Sequence, residues 1–312
     1  MKIVIICGTR PEAIKLIPLY LAFKDSQKVD VFLVSTGQHQ DMLEQVFAIF
    51  DVNPDYRLDT MIKGQSLGSL TGRLFIELDR VFAEIRPHMA VVQGDTSTAM
   101  VGAQVAFYYQ TKIIHVEAGL RTYDKYSPFP EEINRQVISV IADYNFTPTN
   151  VATKVLESEN REHIYQVGNT VIDALYYIKE KIKNSKPLYD LKYRQILSTH
   201  KKNILVKSHR RENFDYGLRH ICNALKTIAK KYQDEVQIIF PVHLNPIIQN
   251  QVKSNLSDIS NIILMAPIPY DELIFLMANS YIILTDSGGI QEEAPALNKP
   301  VIVLREITER PE

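Results

Sequence analysis

The sequence has no tryptophan, two cysteines in 312 residues and a formal net charge of −1. Two cysteines can close at most one disulfide, and Cys7 lies inside an apolar run while Cys222 falls within a helical pattern. Two buried thiols fit that placement; a disulfide framework, a cysteine-based metal site or redox chemistry does not. The near-neutral charge argues against a nucleic-acid binder, which normally carries a broad basic excess to neutralise phosphates. Any anion must therefore be held by local groups. No apolar run approaches the roughly 20 residues needed to span a bilayer. Met1 to Cys7 is strand-length and is followed by a turn rather than a cleavage site. The expectation is a cytoplasmic protein with neither membrane nor nucleic acid as partner.

What is present is apolar material: 46% of residues are hydrophobic and 23% charged, enough for two domains that each bury a core. Apolar runs of strand length alternate with helical patterns. Lys2 to Cys7, Val29 to Ser35, Met89 to Gln93, Ile113 to Val116 and Asn145 to Thr147 read as strands, and Leu67 to Ile85 as a long helix. A second series follows, with strands at Asn203 to Val206, Gln237 to Val242, Asn261 to Leu264, Tyr281 to Thr285 and Pro300 to Leu304. Continuous apolar strands separated by helices imply parallel sheets covered on both faces. The Lys-rich stretch Lys179 to Lys202, with Pro187 inside it, reads as a surface connection. The predicted architecture is α/β, with two domains at 1–168 and 169–312. Ligands of such folds bind beyond the C-terminal ends of the strands, so the chemistry is sought just after each strand.

After the first strand comes Gly8-Thr9-Arg10-Pro11-Glu12, with Lys15 one turn into the helix. Gly8 suits a tight turn and Pro11 the first helical position, and the amides there could hold an anion with help from Arg10 and Lys15. An ordinary βα turn is the competing reading. Neither a G-x-G-x-x-G nor a Walker A loop is present. Three carboxylates then follow strands: Asp95 in QGDTST, Glu117 in HVEAGLRT and Glu131 in PFPEEINR. Carboxylates held close together push one another's pKa values apart, which lets one act as acid while another acts as base. Taken singly, Asp95 could be a helix N-cap and Glu131 a first-turn partner of the helix dipole.

In the second half, Ser208-His209-Arg210-Arg211 follows a strand, a setting for a diphosphate or leaving-group site. His243 follows another strand without such company, which suits a structural role. Thr285-Asp286-Ser287-Gly288-Gly289 joins a strand to a helix through two glycines and suits a phosphate, with Glu293 a turn further on for ribose hydroxyls.

GTRPEAIK at 8–15, QGDTST at 93–98, HVEAGLRT at 115–122, PFPEEINR at 128–135, HRREN at 209–213, DSGGIQEE at 286–293 and TERPE at 308–312 run in this order along nearly the whole chain. Together they resemble the non-hydrolysing UDP-N-acetylglucosamine 2-epimerases. The resemblance implies a GT-B-like fold, two facing Rossmann-like domains with a nucleotide sugar in the cleft, and no cofactor or metal. It makes Asp95, Glu117, Glu131 and His209 the catalytic residues, and Arg10, Lys15, Ser287, Gly288, Gly289, Glu293 and Arg310 the UDP ligands. It further implies a homodimer and a second UDP-GlcNAc as activator, for which Gln38, Arg211 and His243 lie in the segments to examine. The implied product is UDP-N-acetylmannosamine for a surface polysaccharide. Alternatives are a GT-B glycosyltransferase, a 2-epimerase of a modified UDP-sugar, a non-catalytic nucleotide-sugar binder and a hydrolysing relative. The chain departs from the family pattern at Lys207 and at Asp215-Tyr216. Family members also continue past TERPE into closing helices. A truncated chain is therefore expected, with an incomplete hinge, an exposed apolar patch and impaired turnover.

Overall fold

The computed structural model describes residues 1–38, 40–62, 64–197, 200–208 and 216–305. The chain divides into two compact units, Met1–Ala174 and Leu175–Glu312.

Unit 1 begins with β1 (Lys2–Cys7), whose run KIVIIC is buried from its second residue onward. A strand buried on both faces needs helices on both sides of its sheet. These follow as α1 (Arg10–Ser26), β2 (Asp30–Ser35), α2 (Gln40–Phe50), β3 (Tyr56–Arg57), α3 (Leu67–Ile85), β4 (Met89–Gln93) and α4 (Ser97–Tyr108). The chain continues through β5 (Lys112–Val116), α5 (Glu131–Ile141), β6 (Tyr144–Thr147), α6 (Asn150–Ser158), β7 (Ile164–Gln166) and α7 (Val171–Asn184). All pairs are parallel, in the order β3-β2-β1-β4-β5-β6-β7. Leu70, Leu74, Leu78, Phe82 and Ile85 form the amphipathic stripe of α3 and pack with Val101 and Val105 of α4 over Val4 and Val92. Each such side chain contributes about 1.5–3 kcal/mol when fully buried.

Unit 2 repeats the plan with α8 (Lys186–Tyr193), β8 (Lys202–Lys207), α9 (Tyr216–Lys231), β9 (Val236–Pro241) and α10 (Pro246–Leu256). Then come β10 (Ile262–Met265), α11 (Tyr270–Ala278), β11 (Ile282–Thr285), α12 (Gly288–Ala296) and β12 (Val301–Val303). The five strands are parallel in the order β10-β9-β8-β11-β12. In both sheets the first strand of the unit lies inside the sheet and the order reverses beside it, at β1/β4 and at β8/β11. Crossovers leave such a point on opposite faces, which opens a crevice beyond the strand ends.

Two features differ from the sequence expectation. The edge strands β3 and β7 are additional; each is two or three residues long and partly exposed, so neither has an apolar run to announce it. The stretch Lys179 to Lys202, expected as a surface connection, is largely helical. α7 runs to Asn184, and α8 starts with Pro187 in its first turn, where the missing N–H costs nothing. Tyr189 and Tyr193, one helical turn apart, pack their rings on Phe275 and donate their hydroxyls to Asp271 and Glu272 of α11. Cys7 and Cys222 are buried free thiols. Among the described residues, no helix is long and apolar enough to cross a membrane.

Candidate active site

At the switch point of unit 1 the chain leaves β1 at Gly8. A Cβ there would lie 2.2 Å from Thr98 Oγ1 and 2.5 Å from Thr36 Oγ1, so only glycine fits between the two turns. The amides of Gly8 and Thr9 and the Thr9 hydroxyl all donate to Glu12 Oε2, at 3.1, 2.7 and 2.7 Å, and Thr96 Oγ1 donates to Glu12 Oε1 at 2.6 Å. Burial pushes the Glu12 carboxyl up from its ordinary value, against the lowering effect of these bonds. The first turn of α1 thus already holds an anion, and it is a carboxylate of this chain. This corrects the expectation of an open phosphate cradle at these amides. Lys15, expected beside a diphosphate, has its ammonium 2.6 Å from both oxygens of Glu117. Arg10 opens α1 and is half-buried.

Glu117 follows β5 in the left-handed region at φ 59°, an uncommon conformation for a residue with a Cβ. Gly119, two residues on, has φ +92°, and a Cβ there would lie 2.3 Å from Ala152 O. The turn after β5 is therefore pinned against α6. Besides Lys15, the Glu117 carboxylate accepts from Gln93 Nε2 at the end of β4 and, at 2.8 Å, from Asn169 Nδ2 before α7.

Asp95 lies between Gly94 and Thr96, but Thr96 is the N-cap of α4, accepting the Ala99 amide at 3.0 Å. Asp95 is thereby released from a capping role. Burial pushes its carboxyl up to about 6; Arg135, 3.4 Å away, opposes the rise, and the charges of Glu117 and Glu131 add to it. Asp95, Glu117 and Glu131 therefore share one electrostatic neighbourhood. Of the paired glutamates that open α5, Glu131 is partly exposed, whereas Glu132 is fully buried. Glu132 accepts from the amides of Thr122 and Tyr123 and from Gln136, and sits 3.4 Å from Arg135. Burial alone would raise the Glu132 carboxyl, but the hydrogen bonds and the guanidinium win and hold it below its ordinary value. His115 bonds Gly94 O at 2.8 Å, and burial pushes its pKa down to about 4. A neutral imidazole with its proton on Nε2 therefore supports the Gly94-Asp95 turn.

Sequence reasoning passed over Gln93, His115, Arg135 and Asn169. Arg135 stands three residues after Glu132, so that carboxylate neighbour was readable from helical spacing, whereas Asp95, 40 residues before it, was not. Asn169 gave no such signal.

In unit 2, Ser208 follows β8 and donates to the fully buried Asp286 at 2.8 Å. Thr285 Oγ1 donates to Lys207 O at 2.9 Å and accepts the Ser287 amide at 3.0 Å, which fixes the turn into α12. Ser287 is the N-cap of α12, without a side-chain cap bond, and Gly288 and Gly289 form its first turn. A helix cannot satisfy its own first amides, so this end is suited to an anion. Glu293 is buried and accepts the Tyr270 hydroxyl at 2.6 Å. Gln38 accepts from Thr98 Oγ1 at 3.2 Å, and His243 Nδ1 accepts the Asn245 amide at 3.1 Å. His209, Arg211 and Arg310 lie outside the described residues.

Comparison with known proteins agrees with this geometry. The family profile described as UDP-N-acetylglucosamine 2-epimerase matches residues 21–312. The chain is 49% identical to the UDP-N-acetylglucosamine 2-epimerase of Campylobacter jejuni, over 100% of this chain and 83% of that protein. It is 44% identical to that of Escherichia coli K12, over 100% and 84%. The crystal structure of the Neisseria meningitidis UDP-GlcNAc 2-epimerase bound to UDP-GlcNAc superposes with a TM-score of 0.93 at 41% identity, covering 100% of this chain and 84% of that one. The Methanocaldococcus jannaschii enzyme in complex with UDP-GlcNAc and UDP gives 0.81 at 35%, covering 100% and 86%. With a carboxylate cluster at one switch point, a glycine-rich helix N-terminus at the other and these likenesses along its whole length, the chain belongs to the UDP-N-acetylglucosamine 2-epimerase family.

Proposed function

We propose that the protein interconverts UDP-N-acetylglucosamine and UDP-N-acetylmannosamine by anti elimination of UDP and its re-addition. The C2 proton of the sugar has no adjacent carbonyl, so abstracting it directly is very slow. Breaking the C1–O bond to UDP gives C1 positive character and acidifies C2–H. One carboxylate takes the proton, the electron pair forms the C1=C2 bond of 2-acetamidoglucal, and UDP departs with the C1–O pair. UDP then adds back to C1 while a second acidic group protonates C2 from the opposite face. The cycle is redox-neutral and requires no nicotinamide.

The observation that carries this reading is the meeting of Asp95, Glu117 and Glu131 at the unit 1 switch point, with Asp95 raised to about 6. A carboxyl poised there can both hold and release a proton near neutral pH. His209 joins them in the proposal as a fourth catalytic group. General acid–base catalysis typically supplies about 10² to 10⁴-fold, so groups on the departing diphosphate must supply much of the remainder. Ser287, Gly288, Gly289 and Glu293, with Arg10, Lys15 and Arg310, are assigned to UDP. The proposal extends to a cytoplasmic homodimer, to a second UDP-GlcNAc as activator near Gln38, Arg211 and His243, and to precursor supply for a surface polysaccharide. Its proposed domains, 1–168 and 169–312, part just before the helix in which the two compact units divide.

The test is incubation with UDP-GlcNAc in D₂O, followed by NMR. Deuterium at C2 of both the recovered and the epimerised sugar is expected. Sugar transfer or UDP binding without C2 exchange would overturn the proposal in favour of a transferase or a binding protein.

A further inference from the structure

Glu117 carries its carboxylate on a backbone in the left-handed region, and the resolved contacts around it divide the work of holding it. Lys15 Nζ is equidistant from the two oxygens, at 2.6 Å. An ammonium on a flexible stem supplies charge there but does not choose between rotations of the carboxylate plane. Among the described contacts, two side-chain amides are directional donors, Gln93 on Oε2 and Asn169 on Oε1.

The Asn169 side chain is fixed at both ends. Its Oδ1 accepts the Val171 amide at 3.1 Å, the first amide of α7, so Nδ2 must face Glu117 Oε1, 2.8 Å away. Turning the amide over would set a donor against a donor at Val171 and an acceptor against a carboxylate at Glu117. Its single orientation follows from its two partners. α7 is also the helix within which the chain passes from unit 1 to unit 2.

We infer that Asn169 is a positioning residue for Glu117: it fixes the plane of that carboxylate and favours its ionised form, and it ties both to the start of α7. The inference rests on the reading of Glu117 as one of the acid–base carboxylates. Among the described residues, the other titratable groups around Glu117 include Lys15 of α1, Asp95 after β4 and His115 of β5, with Glu131 and Arg135 of α5 reaching Asp95. A change at position 169 leaves all of these in place.

Asn169→Asp separates the two jobs of the residue. Aspartate keeps an oxygen for the Val171 amide and is as good a partner at a helix start as asparagine. It loses the donor to Glu117 and puts a like charge beside it, which disfavours ionisation of Glu117. The expected result is a modest fall in Tm at neutral pH that shrinks on acidification, a kcat at a temperature well below Tm lower by about tenfold, and an acid limb of the pH profile moved to higher pH. Glu117→Gln combined with Asn169→Asp should be no slower than Glu117→Gln alone, because the two residues act as one unit. A wild-type kcat and pH profile in Asn169→Asp would overturn the inference. So would a further tenfold loss in the double variant, or a loss of activity that only follows a falling Tm. Should wild-type protein show no C2 exchange, the epimerase reading fails by itself. The coupling is then read from the ¹³C titration of the Glu117 carboxyl, where an upward midpoint in Asn169→Asp upholds it and an unmoved midpoint sinks it.

Discussion

The two switch points share a topology and differ in chemistry. At β1/β4 the groups beyond the strand ends are mostly ionic: Glu12, Lys15, Asp95, Glu117 and Arg135, cross-linked over distances of up to 102 residues in sequence. At β8/β11, among the described residues, hydroxyls and an amide bond to buried groups: Ser208 to Asp286, Tyr270 to Glu293, and Thr285 with the Ser287 amide. On the proposed reading, the same open sheet provides proton-handling groups in one unit and donors suited to an anion in the other. The topology opens the crevice, and the residues at the strand ends decide what it does.

That contrast can be broken most sharply at Asp95. Asp95→Asn should lower kcat and the rate of C2 deuterium exchange by about 10³-fold while leaving the Kd for UDP, measured by calorimetry, nearly unchanged. Comparable losses in both would mean that the two regions do not divide the work. Lys15→Met should act on unit 1 through stability. Removing one partner of a largely buried pair leaves the Glu117 charge with the Gln93 and Asn169 amides but without its ammonium and costs about 3 kcal/mol, to be read as a lower midpoint in denaturant unfolding. An unmoved midpoint would show that the pair is well solvated.

Tyr270→Phe addresses the other side. It takes the hydroxyl from the buried Glu293 and should weaken UDP binding by about tenfold, with little effect on the rate at saturating substrate. A fall confined to kcat would place Tyr270 with the catalytic groups instead. The smallest effect is a pH slope. Because the Asp95 carboxyl is raised to about 6 in the folded protein from an ordinary 3.8, the native state binds its proton more tightly than the unfolded chain. Its contribution to stability is present below pH 4 and is lost as pH rises to about 6. The stability of the wild type relative to Asp95→Asn should therefore fall modestly between those limits in urea titrations. A flat difference would mean that the carboxyl titrates as in water.

The division of labour was only half legible beforehand. Asp95, Glu117 and Glu131 could be named from their places after apolar runs, yet nothing local distinguished Glu131 from its neighbour. Glu132 proves to be the one sealed by the Thr122 and Tyr123 amides. Asp95 was open to reading as an N-cap until Thr96 was seen in that role. The Gly8 turn had the signature of an anion site and is one, but the anion comes from within the chain at Glu12.

The sequence by itself determined the periodic elements. Lys2–Cys7, Met89–Gln93 and Leu67–Ile85 are set by unbroken apolar runs or a helical apolar stripe, because burying those side chains in regular backbone is the dominant local gain. Tertiary structure alone decided the partners of each charge. Lys15 and Glu117 meet because β1 lies beside β4 and β4 beside β5, and Asn169 reaches the same carboxylate from beyond β7. Strand order is chosen by how helices cross over the sheet, a property of the whole chain that no window of residues contains. A buried carboxylate takes its pKa from whichever groups that order brings to it.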